Sequence, residues 1–147
     1  MTTLRMWAKT IALATLVTWF AGCGGGGGGG VGQVDTTPPQ ILQFNVSPSL
    51  VQEGGTMRAE SVIVDNSSGI ASVRLRVRYP NGIERFYEMQ REGEGRYSTQ
   101  WSVPTAVSGE QNTIQVTVIA SDMQGNTVNR DYTPAPRLAR QPPNPPW

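Results

Sequence analysis

Apolar and polar residues alternate along the middle of the chain, between residues 36 and 133. The clearest example is residues 72–79, in which arginines alternate with apolar side chains. A period of two is typical of a β-strand that buries one face and exposes the other. Residues 97–103 and 113–120 repeat this pattern, and no segment shows the 3.6-residue period of an amphipathic helix. The sequence therefore predicts an all-β domain.

Turn-forming residues interrupt the alternating segments about every ten positions. They occupy residues 47–49, 65–69, 80–82, 92–95 and 121–126. Short strands joined by such turns predict a single antiparallel β-sandwich of about seven strands. Its boundaries are placed at residues 36–133, and Trp101 is expected to be a large core side chain. Residues 57–64 are predicted to form a strand, but their pattern leaves the inward face open.

Residues 73–91 are predicted to form a hairpin around residues 80–82. A two-residue loop would place Arg78 opposite Arg85, and like charges directly opposite each other are destabilising. A three-residue loop with Gly82 in the left-handed conformation is also common. We choose the three-residue loop, which places Arg74, Arg76 and Arg78 opposite Glu88, Phe86 and Glu84. The arginine row is then interpreted as a salt-paired solvent face rather than a basic binding patch.

The start of the chain has the layout of a secretory signal. Arg5 and Lys9 precede an apolar stretch, residues 11–20, and small residues follow it. A membrane-spanning helix needs about 20 apolar residues, and Gly22 and the glycine run end this stretch too early. The sequence therefore predicts a removable signal rather than a permanent membrane span.

Phe20-Ala21-Gly22-Cys23 resembles the lipobox of bacterial lipoproteins, with Phe20 at the position of the usual Leu. The resemblance implies cleavage before Cys23, a signal peptide of residues 1–22 and diacylation of the Cys23 thiol. Two or more acyl chains give stable membrane anchoring. Because Gly24 rather than Asp follows the cysteine, the resemblance further implies the outer membrane of the bacterial cell envelope. The alternative is an ordinary signal peptide with an incidental cysteine.

Two segments flank the predicted sandwich. Residues 23–35 comprise the lipidated cysteine and a glycine-rich tether; a flexible coil of about 14 residues has a root-mean-square reach of roughly 20 Å. Residues 134–147 are rich in proline and end in Trp147, and they are predicted to be disordered and outside the core. This tail has either no role or the role of a short docking segment, since prolines pre-set an extended conformation.

Motifs along the sandwich add a second resemblance. Residues 35–39, 65–73, 95–98 and 116–126 read Asp-Thr-Thr-Pro-Pro, Asp-Asn-Ser-Ser-Gly-Ile-Ala-Ser-Val, Gly-Arg-Tyr-Ser and Val-Thr-Val-Ile-Ala-Ser-Asp-Met-Gln-Gly-Asn. In this order they resemble the recurring signatures of bacterial Ig-like and fibronectin-III-like domains. The resemblance implies an Ig-like sandwich that serves in adhesion, spacing or ligand binding on a bacterial surface.

The amino-acid composition excludes several classes of partner and of catalytic site. Removing Arg5 and Lys9 from the twelve basic residues leaves ten against eleven acidic ones, so the mature part carries a net charge of −1. This charge argues against a nucleic-acid partner. The chain has no histidine, which excludes histidine-activated nucleophiles and imidazole metal ligands. Glu92 and Glu94 flank a turn glycine and are interpreted as solvated loop charges. We therefore predict no catalysis and no cofactor.

Oxygen donors in the predicted loops are the candidate metal ligands, namely Asp35, Asp65, Asp122 and Asn126. Such residues could gather at one end of the sandwich and hold a hard cation such as Ca²⁺. Aspartate and asparagine also form turns by accepting hydrogen bonds from nearby backbone groups. We predict the turn-forming role, and therefore no metal, and keep the calcium site as the alternative.

Two classes of function remain. The first is a lipid-anchored Ig-like module of the cell envelope that acts in protein or polysaccharide binding, adhesion or structural spacing. Its partners would be the membrane, through Cys23, and an envelope protein or polysaccharide. The second is a non-catalytic accessory subunit of an envelope enzyme or of a transport or secretion assembly. The small single domain and the missing histidine favour the first class.

Overall fold

The computed structural model describes residues 34–139. The predicted signal segment, Cys23 and most of the glycine-rich tether lie outside the described residues, as does the chain from residue 140 onwards. Predictions about those segments therefore stay predictions. Residues 34–139 contain no helical segment with the length and hydropathy of a membrane span.

The described residues form ten strands. They are β1 (Gln40–Ser47), β2 (Leu50–Val51), β3 (Thr56–Val64), β4 (Ile70–Arg78), β5 (Glu84–Glu88), β6 (Gln90–Gly93), β7 (Arg96–Ser102), β8 (Gln115–Asp122), β9 (Thr127–Asp131) and β10 (Arg137–Leu138).

Eight of these strands make two four-stranded antiparallel sheets. One sheet has the order β1-β3-β7-β6, and the other has the order β5-β4-β8-β9. The first order is that of strands A, B, E and D in an immunoglobulin constant-type sandwich, and β4, β8 and β9 take the places of strands C, F and G. The predicted antiparallel β-sandwich is confirmed, with β5 as an additional edge strand.

The strand count exceeds the predicted seven for two reasons. Residues 83–91, predicted as one strand, divide into β5 and β6, which belong to different sheets. The division falls at Met89, whose side chain is buried and whose N–H donates to the Val73 carbonyl over 2.9 Å. The other additions, β2 and β10, have two residues each, and an alternating pattern cannot reveal strands that short.

The core lies between the inward faces of the two sheets. On β3 the inward residues are buried, which settles the face that alternation left open; they are Met57, Ala59, Ser61 and Ile63. Trp101 on β7 is 4% exposed, as predicted. Its ring stacks on that of Tyr87 on the opposite sheet, with 5.6 Å between the ring centroids. The Trp101 Nε1–H makes no hydrogen bond of normal geometry within the described residues, but it lies near the Tyr79 hydroxyl, where burial raises the pKa and the indole N–H opposes this rise with a smaller, lowering effect.

The β4–β5 hairpin has the predicted register, pairing Arg74 with Glu88, Arg76 with Phe86 and Arg78 with Glu84. The Tyr79 N–H donates to the Ile83 carbonyl over 2.9 Å and leaves a three-residue loop between them. Gly82 has a φ of 87°, a conformation that glycine adopts without steric cost. Charge repulsion in the shorter loop and the freedom of Gly82 together explain this register.

The predicted salt pairs of the hairpin do not form. In residues 34–139, the ion pairs within 4.0 Å are those of Arg58 with Glu60 and with Glu92. An exposed ion pair gains little energy and loses side-chain entropy by holding one geometry. The arginines of β4 therefore lie opposite glutamates of β5 without bonding to them.

The domain extends beyond the predicted boundary at residue 133. β10 pairs in parallel with β2, and Leu138 lies next to Val51. The Leu138 side chain is 3% exposed and belongs to the core, and Pro136 is also buried. The prediction that the tail lies outside the core is therefore wrong for residues 134–139. A single core leucine in a proline-rich segment creates no periodicity, so the sequence pattern did not reveal it.

Candidate functional site

The strands run between two ends of the sandwich, which carry different polar groups. The N-terminal end consists of residues 34–39, the β3–β4 loop and the β8–β9 turn. The C-terminal end consists of the hairpin loop 79–83, strands β2 and β10, and the long loop 103–114. The four predicted metal ligands all lie at the N-terminal end, while Cys23 lies outside the described residues.

Asp65 closes the loop between β3 and β4. Its Oδ1 accepts hydrogen bonds from the backbone N–H groups of Ser67, Ser68 and Gly69 over 2.9, 2.9 and 2.8 Å. The bond from Gly69, followed by that from Ser67, lowers the pKa of Asp65 below its ordinary value. The carboxylate therefore stays ionised and fixes the loop, as a turn-forming aspartate does.

Asp122 does the same in the turn after β8. The residue is 2% exposed, and its Oδ1 accepts the N–H groups of Gln124 and Asn126 over 2.9 and 2.8 Å. Its Oδ2 accepts a hydrogen bond of 2.8 Å from the Asn126 side-chain amide. Desolvation by itself would raise the pKa of Asp122, but the hydrogen bonds to its carboxylate, of which those from Asn126 contribute most, together outweigh it and lower the pKa.

Asp35 brings the N-terminal segment to this cluster. Its Oδ1 accepts the Thr37 N–H over 2.9 Å, and its backbone carbonyl accepts a 3.0 Å hydrogen bond from the Asn126 side-chain amide. Its Oδ2 is buried and has no hydrogen-bond donor among the described residues. Asn126 thus clamps the segment before β1 to the turn after β8.

The structure brings the three predicted aspartates together. One carboxylate oxygen from each of Asp35, Asp65 and Asp122 lies within 4.8 Å of the others. Two oxygens bound to one Ca²⁺ at about 2.3–2.6 Å can be about 5 Å apart, so the spacing is compatible with a shared cation. Asn126 was a candidate oxygen ligand, but its side-chain amide nitrogen, rather than its oxygen, faces Asp122 and donates a hydrogen bond to it.

The contacts of the carboxylates favour the turn-forming role. Calcium takes about 6–8 oxygen ligands, whereas Oδ1 of each aspartate already accepts backbone N–H groups. The buried Oδ2 of Asp35 is the feature that a cation would satisfy. The calcium site therefore stays an alternative hypothesis.

Glu53 makes a comparable clamp at the C-terminal end that the sequence analysis did not identify. Its carboxylate accepts the N–H groups of Ala106, Val107 and Ser108 over 2.9–3.0 Å and the Ser108 hydroxyl over 2.6 Å. The hydroxyl bond and then the Ala106 N–H lower the pKa of Glu53. Only its position in the Glu-Gly-Gly turn could have drawn attention to it, because its partners are more than fifty residues away in sequence.

Glu92 and Glu94 differ from each other. Glu94 is exposed in a turn, as predicted. Glu92 lies on β6, where it accepts hydrogen bonds from the Ser98 hydroxyl and from the Arg58 guanidinium. The interpretation of Glu92 as a solvated loop charge is therefore wrong, because β6 continues to Gly93 and the turn begins two residues later than the sequence suggested.

The outer face of the second sheet carries two parallel rows of side chains. We call this surface the striped face; it consists of Arg74, Arg76 and Arg78 on β4 and Glu84, Phe86 and Glu88 on β5. The alternate residues of β4 are buried, which directs the arginines outwards. Phe86 lies between the two glutamates and is 56% exposed. The sequence placed these residues opposite one another but did not single out Phe86.

Comparisons with known proteins add information about the fold only. No protein-family profile and no curated sequence matches the chain. A DUF4785 family protein from Legionella pneumophila is similar with a TM-score of 0.52 and 10% identity, over 65% of this chain and 27% of that one. The DNA glycosylase AlkC of Pseudomonas fluorescens, bound to DNA with an abasic site analog, has a TM-score of 0.49 and 12% identity over 69% and 30%. The chain thus spans less than a third of either protein, and the first similarity supports the sandwich fold alone.

Proposed function

We propose that this protein is a lipid-anchored Ig-like module of the bacterial cell envelope that holds a binding surface away from the membrane. In this proposal the module is non-catalytic and carries no cofactor. Its partner would be an envelope protein or polysaccharide, and its anchor would be the acylated Cys23. The main observation in support is that residues 34 and 139, the first and last described residues, lie at opposite ends of the sandwich.

Hydrogen bonds fix both the segment before β1 and the segment around β10 to the sandwich. At the N-terminal end, Asn126 bonds to the carbonyl of Asp35 over 3.0 Å. At the C-terminal end, the Leu138 and Ala139 N–H groups donate to the carbonyls of Asn112 and Val51, each over 2.7 Å. A nine-residue strand such as β3 spans about 30 Å at roughly 3.3 Å per residue. A domain held in this way is suited to act as a spacer.

The carboxylate chemistry supports binding or spacing over catalysis. A general acid at neutral pH needs a raised carboxyl pKa, whereas the pKa values of Asp65 and Asp122 are lowered. Their oxygens are engaged by the backbone of their own turns. These aspartates therefore serve to fix loops rather than to transfer protons.

Membrane fractionation tests the anchor. Cys23→Ser should move the protein from the membrane to the soluble envelope fraction, because the site of acylation is lost. Gly24→Ser is the matched control, since it changes the neighbouring residue and keeps the thiol. If the Cys23→Ser protein stays in the membrane fraction, the lipid anchor is wrong.

Cross-linking in intact cells tests the partner and the tail. Co-purification of the cross-linked protein should recover an envelope protein or polysaccharide. Removing residues 140–147 leaves the core leucine of β10 in place, so loss of a partner in that variant would identify the tail as a docking segment. Recovery of an envelope enzyme or a transport assembly would instead identify the protein as an accessory subunit.

A further inference from the structure

We propose that the striped face binds a second copy of this chain, related by a two-fold axis that runs parallel to β4 and β5. The proposal rests on the charge pattern of the described domain and is independent of the anchor at Cys23. Its basis is that the two rows of the striped face are complementary to each other under this rotation.

The two rows are level with each other along the strands. Because β4 and β5 are antiparallel, Glu88 lies beside Arg74, Phe86 beside Arg76 and Glu84 beside Arg78. Residues directly opposite on one face of an antiparallel pair are about 5 Å apart. Each arginine therefore has its counterpart at the same height on the neighbouring strand.

A rotation of 180° about an axis between the two strands exchanges the rows and preserves the heights. β4 of one copy then lies over β5 of the other. Arg74 faces the second copy's Glu88, Arg78 faces its Glu84, and Arg76 lies over its Phe86. Two-fold symmetry repeats every contact, which yields four ion pairs and two cation–π contacts.

The side chains are free to make these contacts. The ion pairs found within residues 34–139 do not include those of the striped face. Arg76 makes one long hydrogen bond of 3.4 Å to the Thr117 hydroxyl, which still leaves the other guanidinium donors available. Phe86 is 56% exposed in the centre of the pattern. Aromatic and arginine side chains at the centre of a surface are typical of interface hot spots, and arginine binds favourably over an aromatic ring.

The same pattern disfavours a uniformly acidic ligand. A polyanion that bound the row of β4 would also meet Glu84 and Glu88, which lie about 5 Å away. A second copy presents negative charge only where the first presents positive charge. The overlap covers two strands of about five paired residues each, which falls in the class of small, weak interfaces. We therefore expect an association that depends on protein concentration and weakens with ionic strength.

Reversing one row at a time tests the proposal with the full chain, purified in detergent and followed by sedimentation equilibrium in density-matched solvent. Arg74→Glu with Arg78→Glu makes the face negative, and Glu84→Arg with Glu88→Arg makes it positive. Each double variant should self-associate at least about tenfold more weakly than the natural sequence, because like charges would face each other. An equimolar mixture of the two should associate again.

The quadruple variant that exchanges both rows is the decisive one. It restores the complementary pattern with the signs inverted, so it should self-associate like the natural sequence. Arg91→Glu with Arg96→Glu makes the same charge change on the other sheet and should leave association unchanged. Phe86→Ala should weaken association without changing the charge.

Three results would overturn the proposal. The natural chain could be monomeric at every concentration, the quadruple variant could associate no better than the double variants, or the Arg91 and Arg96 control could lose association as well. The variants are expected to fold, because the substituted side chains are exposed; they are Arg74, Arg78, Glu84, Glu88, Arg91 and Arg96. Circular dichroism of each variant checks that a loss of association is not caused by unfolding.

Discussion

Replacing Trp101 by alanine should lower the free energy of unfolding by about 3–5 kcal/mol. The indole is 4% exposed and stacks on the ring of Tyr87 with 29° between the planes. It also lies on β7 directly opposite Met57 of β3, which is 1% exposed. Alanine would leave a cavity between the sheets and would lose a ring contact of about 0.5–1.5 kcal/mol, which lies within that total.

The Nε1–H of Trp101 makes no hydrogen bond of normal geometry within the described residues. Most of the cost of the alanine substitution should therefore come from lost packing, with a smaller part from the contact of the indole with the Tyr79 hydroxyl. Trp101→Phe keeps an aromatic ring beside Tyr87 and removes the buried donor, so it should cost clearly less than the alanine variant. Phe86→Ala provides the exposed control and should change stability by no more than about 0.5 kcal/mol.

Denaturant unfolding of the full chain, followed by far-ultraviolet circular dichroism, measures these differences. A loss of about 3–5 kcal/mol is a large part of the roughly 5–15 kcal/mol that stabilises a typical domain. A loss below about 1 kcal/mol for Trp101→Ala would refute the assignment of this side chain to the core. An equal loss for Phe86→Ala would refute the distinction between the inner and outer faces.

Further predictions concern the two ends of the sandwich. Leu138→Ala should destabilise the domain by about 2–5 kcal/mol, whereas Leu50→Ala, at a residue that is 60% exposed, should have little effect; equal melting temperatures for the two variants would contradict the place of β10 in the core. The pKa values of Asp65 and Asp122 are lowered on folding, so their stabilisation is present above the ordinary carboxyl pKa of about 4 and is lost as the pH falls through the lowered values. The melting temperature should therefore fall in acid, and a profile unchanged by Asp65→Asn would count against this role. Because backbone donors already occupy the aspartates, Ca²⁺ at about 10 mM should leave the melting temperature unchanged, whereas a site with a dissociation constant of about 1 mM would add about 1.4 kcal/mol. A calcium-dependent rise that Asp35→Asn abolishes would establish the alternative.

Sequence alone determined the features that depend on local patterns. Alternation with a period of two identified most strands of the sandwich, because each strand buries one face and exposes the other. Charge repulsion and the glycine of the loop selected the register of the β4–β5 hairpin, in which Arg78 pairs with Glu84. The turn-forming role of Asp65 could also be predicted from sequence, because its hydrogen-bond donors are nearby in the chain, at residues 67–69.

Tertiary structure decided what depends on residues far apart in the chain. Leu138 belongs to the core because β2 lies beside it, and no pattern within the proline-rich tail encodes that neighbour. Asp35 meets Asp122 and Asn126 only because the chain before β1 passes the turn after β8. The sequence predicted that arginines of β4 lie opposite glutamates of β5. The absence of ion pairs between them depends on side-chain entropy and solvent exposure in the folded domain. Local periodicity therefore specifies strands and their exposed faces, whereas the packing of distant segments specifies where the domain ends and which charges remain available to a partner.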